Sequence, residues 1–300
     1  MTICIRTVET ALAVSSDKRV GMLHRPQSTA EALELLRLPD ATILAGGTDI
    51  FPAHVDRPPP KRLIDISRLA DLRGLVRDGA RVRIGAATTW TEIARADLPP
   101  AFDMLRQAAL EIGAVQIQNR GTIGGNLCNA SPAADGAPPL LALDARVELA
   151  SPRGLRILAL DEFLLGNRRT ARTPDEILTA VLVDDVAGGR SIFAKLGARK
   201  HLVISIVMIA VLIAIDDAGA ITQARIAVGS ASATAQRLRD LERKLVGRSA
   251  KASIVDLVTP EDLAVLNPID DLRATAGYRR DAALELVRRA LADLAEAAHG

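Results

Sequence analysis

The run LVISIVMIAVLIAI, residues 202–215, limits this chain more than any other feature. Its 14 residues are too few to cross a bilayer as a helix, which takes about 20. β-branched side chains dominate it, so it predicts a buried strand, or two, rather than a helix. SIFAKLGA before it and QARIAVGSA after it also read as strands, with turns at Gly197 and at Asp217–Gly219. Together they predict three antiparallel strands. Beyond residue 235 the pattern is helical. Thr259 is an N-cap followed by Pro260 at the first helical position, and the last helix places Leu284, Val287, Leu291 and Leu294 on one face.

Upstream, the signals alternate between helix and strand. Ser28 and Glu31 stand at capping-box spacing ahead of a helix, and Thr89 and Glu92 repeat that spacing. ATILAGG and RLIDIS read as short strands, a helix is expected around 101–112, and LLALDARVELAS ends in a strand. The composition breaks at VAGGRS. The expected organisation is therefore an N-terminal extension over 1–20, one domain over 21–187, and a second, sheet-plus-helix domain over 188–300. Aromatic residues make up only 2% of the chain, so Ala, Leu, Val and Ile must fill both cores.

Several function classes fall away. The net charge of +2 comes without a basic block, which argues against nucleic acid. Cys4 and Cys128 lie far apart, and His24, His54, His201 and His299 are scattered without metal-ligand spacing. No metal site, no disulfide framework and a reduced, cytoplasmic setting are expected. The N-terminus lacks the pattern of a signal peptide, and no transmembrane segment is expected.

Two glycine pairs carry the functional signal: LAGGTDIFP at 44–52 and TIGGNLCNASPAADGAPP at 122–139. Consecutive backbone N–H groups in such turns form a concave anion site, and the hydroxyls of Thr48, Thr122 and Ser131 add donors. Two loops of this kind suit a pyrophosphate clamped from two sides. Neither the G-x-G-x-x-G fingerprint nor the P-loop is present, which removes a Rossmann NAD site and an NTPase.

ILAGGTDI, together with IGAVQIQNRGTIGGNLCNASPAADGAPPLLALDARVEL, resembles the FAD-binding medium subunits of the molybdenum hydroxylases. These include the xanthine dehydrogenases and aerobic carbon monoxide dehydrogenases. FAKLGARK, ARIAVGSASATAQRL and NPIDDLRATAGYRRDAALELVRRAL are similar to the C-terminal domain of the same subunits, so the resemblance covers about residues 20–296. It implies an α+β fold: a two-part FAD-binding domain of the vanillyl-alcohol oxidase (PCMH) type, then a domain of a three-stranded antiparallel sheet with a helical bundle. It also implies the site. Leu44, Ala45, Gly46, Gly47, Thr48, Asp49 and Ile50 would hold the FAD pyrophosphate, and Thr122, Ile123, Gly124, Gly125 and Asn126 would close on its other side. Asn129, Ser131, Asp135, Ile112, Gly113, Leu178 and Lys195 match further cofactor positions. Phe193 stands where some relatives carry a tyrosine against the ring, and Gly136 where they carry a larger apolar residue. Plainer readings exist for four residues: Lys195 as a snorkelling surface lysine, Asp49 as a helix cap, Asp135 as a turn residue, and Cys128 as a small buried thiol.

The chain has no cysteine set for an iron–sulfur cluster and no evident acid–base pair, so no side chain is expected to be catalytic. The resemblance implies partners instead. A large molybdenum-cofactor subunit would oxidise the substrate, and a small [2Fe–2S] subunit would pass electrons to this flavin. NAD, a quinone or O2 would accept them. A free-standing FAD-dependent oxidoreductase acting on a small organic substrate, and a scaffold that has lost its flavin, are the other readings.

Overall fold

The structure, a computed structural model, describes residues 21–200 and 202–297. The extension over 1–20 with Cys4, and also His201 and His299, lie outside the described residues. β1 (Met22–His24), β2 (Ala41–Leu44) and β3 (Arg62–Asp65) form a parallel sheet in the order β1-β3-β2. α1 (Thr29–Leu36) covers it, burying Ala32 beside Ile64, Ile66, Leu69 and Leu72. Ser28 caps α1 by accepting the Glu31 N–H at 3.1 Å, while the Glu31 carboxylate reaches back to the N–H of Gln27.

A second sheet is antiparallel. It contains β4 (Leu75–Asp78), β5 (Arg81–Gly85), β6 (Arg146–Ser151) and β7 (Gly154–Ala159). After a small ribbon, β8 (Leu164–Gly166) with β9 (Arg169–Thr170), the chain returns as β10 (Ile177–Asp184) and completes the order β4-β5-β10-β6-β7. Between β5 and β6 lie α2 (Trp90–Arg95), α3 (Asp103–Glu111), α4 (Val115–Gln118), α5 (Ile123–Asn129) and α6 (Ala137–Ala142). The Thr89 capping box closes in both directions: the Thr89 N–H donates to Glu92 Oε2 at 2.8 Å, and the Glu92 N–H to Thr89 Oγ1 at 3.3 Å.

The third sheet contains β11 (Gly189–Leu196), β12 (Val207–Ile215), β13 (Ile221–Gly229) and the two-residue β14 (Gln236–Arg237), antiparallel and in that order. The three predicted strands are present, and β14 extends them by a short fourth. The apolar run supplies one strand, not two, and Leu202–Ile206 form the approach to it. Its side chains sort by period two. Val207, Ile209, Val211 and Ile213 enter a core under α7 (Arg239–Leu245) and α8 (Ala276–Ala297). Met208, Ala210, Leu212 and Ala214 enter the large core shared with α2, α3 and α6. Burying one such Val, Leu or Ile contributes about 1.5–3 kcal/mol, so this strand joins the two halves of the chain. On α8, Val287, Leu291 and Leu294 are buried and Leu284 packs at the edge. Among the described residues, no helix is long and apolar enough to cross a membrane.

Candidate functional site

The two glycine loops meet. β2 ends at Leu44, and the chain then turns so tightly against the other loop that a Cβ on Gly46 would collide with the Arg120 carbonyl oxygen. The loops are also tied by side chains, because Asn129 Nδ2 donates to Asp49 Oδ1 at 2.9 Å.

Their backbones differ in what they leave free. The second loop is docked through its own N–H groups: Ile123 donates to the Thr88 oxygen at 3.0 Å, Gly124 to the Ala86 oxygen at 2.9 Å, and Gly125 to Thr122 Oγ1 at 3.1 Å. In the first loop, the N–H groups of Gly46, Gly47, Thr48, Asp49 and Ile50 make no hydrogen bond among the described residues. Such a run of free amides in a turn is a concentrated partial positive charge.

A cavity of about 590 Å³ lies against both loops, a size common to cofactor sites. Of the residues expected at the site, Ala45, Gly46, Gly47, Thr48, Asp49, Ile50, Ile112, Thr122, Gly124, Gly125, Asn126, Asn129 and Leu178 line it. Six others do not. Leu44 and Ile123 are buried, Gly113 packs on Ile117, and Ser131 Oγ accepts the Ala133 N–H at 3.3 Å. The remaining two, Lys195 and Asp135, hold each other in an ion pair of 2.8 Å with side chains only 8% and 10% exposed. Lys195 Nζ also reaches the Glu111 oxygen at 3.4 Å, next to the lining residue Ile112, and Ser205 Oγ donates to Asp135 Oδ1 at 2.9 Å. Burial pushes the Asp135 carboxyl up from its ordinary value, and Lys195 and Ser205 oppose that.

Phe193 is buried in the large core. A Cβ on Gly136 would stand 2.5 Å from the indole of Trp90, the only tryptophan of the chain. That ring takes up the room a larger residue at 136 would need, and it also lines the cavity. Trp90 and Arg172 line the cavity from outside the quoted motifs, and Ile117, Gly121 and Cys128 lie inside them but were not among the expected cofactor positions. Among the described residues, only Asp49 and Arg172 bring charge to the wall. Burial pushes the Asp49 carboxyl up against the pull of Arg168. It also pushes the Cys128 thiol up to about 11, against the charge of Arg172.

This wall fits a flavin dinucleotide. It offers free main-chain donors for a diphosphate, apolar surface for ring systems, and a buried Asn126 Oδ1 with no partner among the described residues. Fold and site together define a flavoprotein of the two-part FAD-binding class.

Residues 16–183 match the model of the FAD binding domain in molybdopterin dehydrogenase, and residues 193–294 that of the CO dehydrogenase flavoprotein C-terminal domain. The chain is 31% identical to the carbon monoxide dehydrogenase medium chain of Hydrogenophaga pseudoflava, covering 89% of this chain and 94% of that one. It is 32% identical to the nicotinate dehydrogenase FAD-subunit of Eubacterium barkeri, covering 92% and 96%. A solved structure of carbon monoxide dehydrogenase from H. pseudoflava superimposes with a TM-score of 0.81 at 32% identity, covering 90% and 96%. The chain belongs to the FAD-binding medium subunits of the molybdenum hydroxylase family. It is an oxidoreductase subunit, and its cofactor is FAD.

Proposed function

We propose that this chain is the electron-transfer subunit of a molybdenum-containing hydroxylase or dehydrogenase. In this reading it stands between the [2Fe–2S] clusters of a small partner subunit and an external acceptor such as NAD, a quinone or O2. A large molybdenum-cofactor subunit oxidises the substrate. Bound FAD supplies the exchange between single-electron and two-electron chemistry. The residues of this chain hold and orient it: the free N–H groups of residues 46–50 take the diphosphate, with Thr48, Asn126 and Asn129 beside them. Ile112, with Gly113 beside it and the Lys195–Asp135 pair behind it through the Glu111 oxygen, would stand toward the flavin ring. In the same reading the complex works in the cytoplasm, and the chain divides near residue 187 into the FAD-binding and C-terminal domains.

The composition of the cavity wall carries this reading. Among the described residues, one carboxylate and one guanidinium between apolar and small residues suit the grip of a dinucleotide. The carboxylate, Asp49, accepts from Asn129 Nδ2 at 2.9 Å, which suits a part in holding the two loops together.

The test is purification of the tagged chain from cells that also express its neighbouring reading frames. Two further polypeptides carrying molybdenum and iron are expected, with substrate oxidation seen only in the assembly. If the isolated, FAD-loaded chain oxidises a small organic substrate by itself, the free-standing oxidoreductase reading replaces this one.

A further inference from the structure

The cavity wall holds a cation whose charge the fold leaves unmatched. Arg172 Nη1 donates to the Thr173 oxygen at 3.1 Å and to the Glu176 oxygen at 2.8 Å. Its Nη2 and Nε have no partner among the described residues, and no described carboxylate pairs with it. The nearby Glu176 carboxylate is taken up elsewhere, accepting from Arg156 at 2.6 and 2.8 Å and from the Thr173 N–H at 2.7 Å. The turn is tied again by Thr173 Oγ1 to Asp175 at 2.7 Å. Arg172 is thus pinned by one edge while its other edge stays open. A guanidinium fixed this way gives up little conformational freedom on meeting a phosphate.

We propose that Arg172 binds the adenosine-diphosphate half of FAD through that open edge; this rests on the reading of the cavity as the FAD site. The electrostatics favour such a group, because Arg168, the cation that acts on Asp49, is not part of the wall. The first loop brings amides but no cation, and it also brings the Asp49 carboxylate onto the same wall. Lys195 is held by Asp135 and is not part of the wall. A diphosphate entering beside Asp49 needs a positive charge to offset the repulsion, and Arg172 is the cationic side chain of the lining. Pro174 of the same turn and Ile177 just beyond it add apolar lining that suits an adenine.

The experiment titrates the full-length, deflavinated chain with FAD at low and high salt, for wild type, Arg172→Gln and Arg172→Lys. ADP and riboflavin serve as competitors. Arg172→Gln is expected to weaken FAD roughly ten- to a hundredfold, the range for a charge-assisted bond, and to flatten the salt dependence. ADP should lose the same factor while riboflavin is unaffected. Arg172→Lys keeps the charge, should lose less than about tenfold, and guards against a loss caused by misfolding. FAD affinity in Arg172→Gln within about twofold of wild type, or equal losses for ADP and riboflavin, would overturn the proposal. A wild-type chain that takes up no FAD overturns the reading of the cavity itself, which is a separate outcome.

Discussion

Asp49 and Asn129 lie 80 positions apart and are joined by a hydrogen bond of 2.9 Å between Oδ1 and Nδ2. This bond ties the loop that keeps its N–H groups free to the helix that closes the cavity. Asn129→Ala is expected to raise the Kd for FAD about tenfold, the effect of one bond to a carboxylate. Asn129→Asp should be worse than alanine, because two carboxylates would then face each other. Equilibrium titration with FAD measures both, and equal affinities for the alanine and aspartate variants would contradict the assigned contact.

Gly46 and Gly125 differ in how much space surrounds them. A Cβ at 46 would meet the rigid Arg120 carbonyl, whereas one at 125 would meet only the Thr122 side chain, 2.9 Å away. Gly46→Ala is expected to cost about 3 kcal/mol or more in stability, because backbone must move. Gly125→Ala should cost about 1 kcal/mol, since only a hydroxyl must turn. Urea unfolding of the two variants gives the comparison, and a reversed order would refute it.

Lys195→Met leaves the Asp135 carboxylate buried without its cation. Burial raises the native pKa of this group. Its contribution to stability is therefore fully present below the unfolded value, about 3.9, and lost as pH rises through the native value. The variant should be about 3 kcal/mol less stable than wild type at pH 7.5 and recover part of that at pH 5. Asp135→Asn added to Lys195→Met should restore much of the loss at pH 7.5. A loss that does not change with pH would show that Asp135 is not the group responsible.

Asp271 behaves in the opposite sense. Desolvation raises its pKa, but this is outweighed by the N–H groups of Arg273 and Ala274 and by the guanidinium groups of Arg279 and Arg273, which bring it down to about 2. Arg279 is almost fully buried and also donates to the backbone oxygens of Ile206 and Ser230, so Asp271 fixes a joint between α8 and the third sheet. A lowered native value means stability that is present above the unfolded pKa and lost as pH falls through about 2. Asp271→Asn should cost about 2 kcal/mol at pH 7, allowing for partial exposure. The gap to wild type should narrow between about pH 4 and pH 2. Thermal unfolding across that range tests it.

Much of the frame was legible because its signals are local. The Thr89–Glu92 spacing made a closed capping box, and the β-branched run made β12. The ordered pair of glycine loops with the C-terminal segments pointed to the family to which the chain belongs. Other elements left no local trace. β14 is two residues long and forms only because Gln236 and Arg237 meet Val228 and Ala227. The single strand in 202–215 was not separable from two, since its extent depends on the pairing with β11 and β13.

At the site, the residue types were readable and the hydrogen-bond assignments were not. The amino-acid sequence by itself determined that small donors and glycines would cluster in two bends, because residue type and short-range spacing set turn propensity. Only the tertiary structure decided that the bend at 122–125 spends its N–H groups on the 86–88 segment and Thr122 while the bend at 46–50 keeps its own free. It alone turned Lys195 onto Asp135, 60 positions away, and left Arg172 facing the cavity. A donor is satisfied by whichever acceptor folding brings within about 3 Å, and that pairing is a property of distant segments packed together.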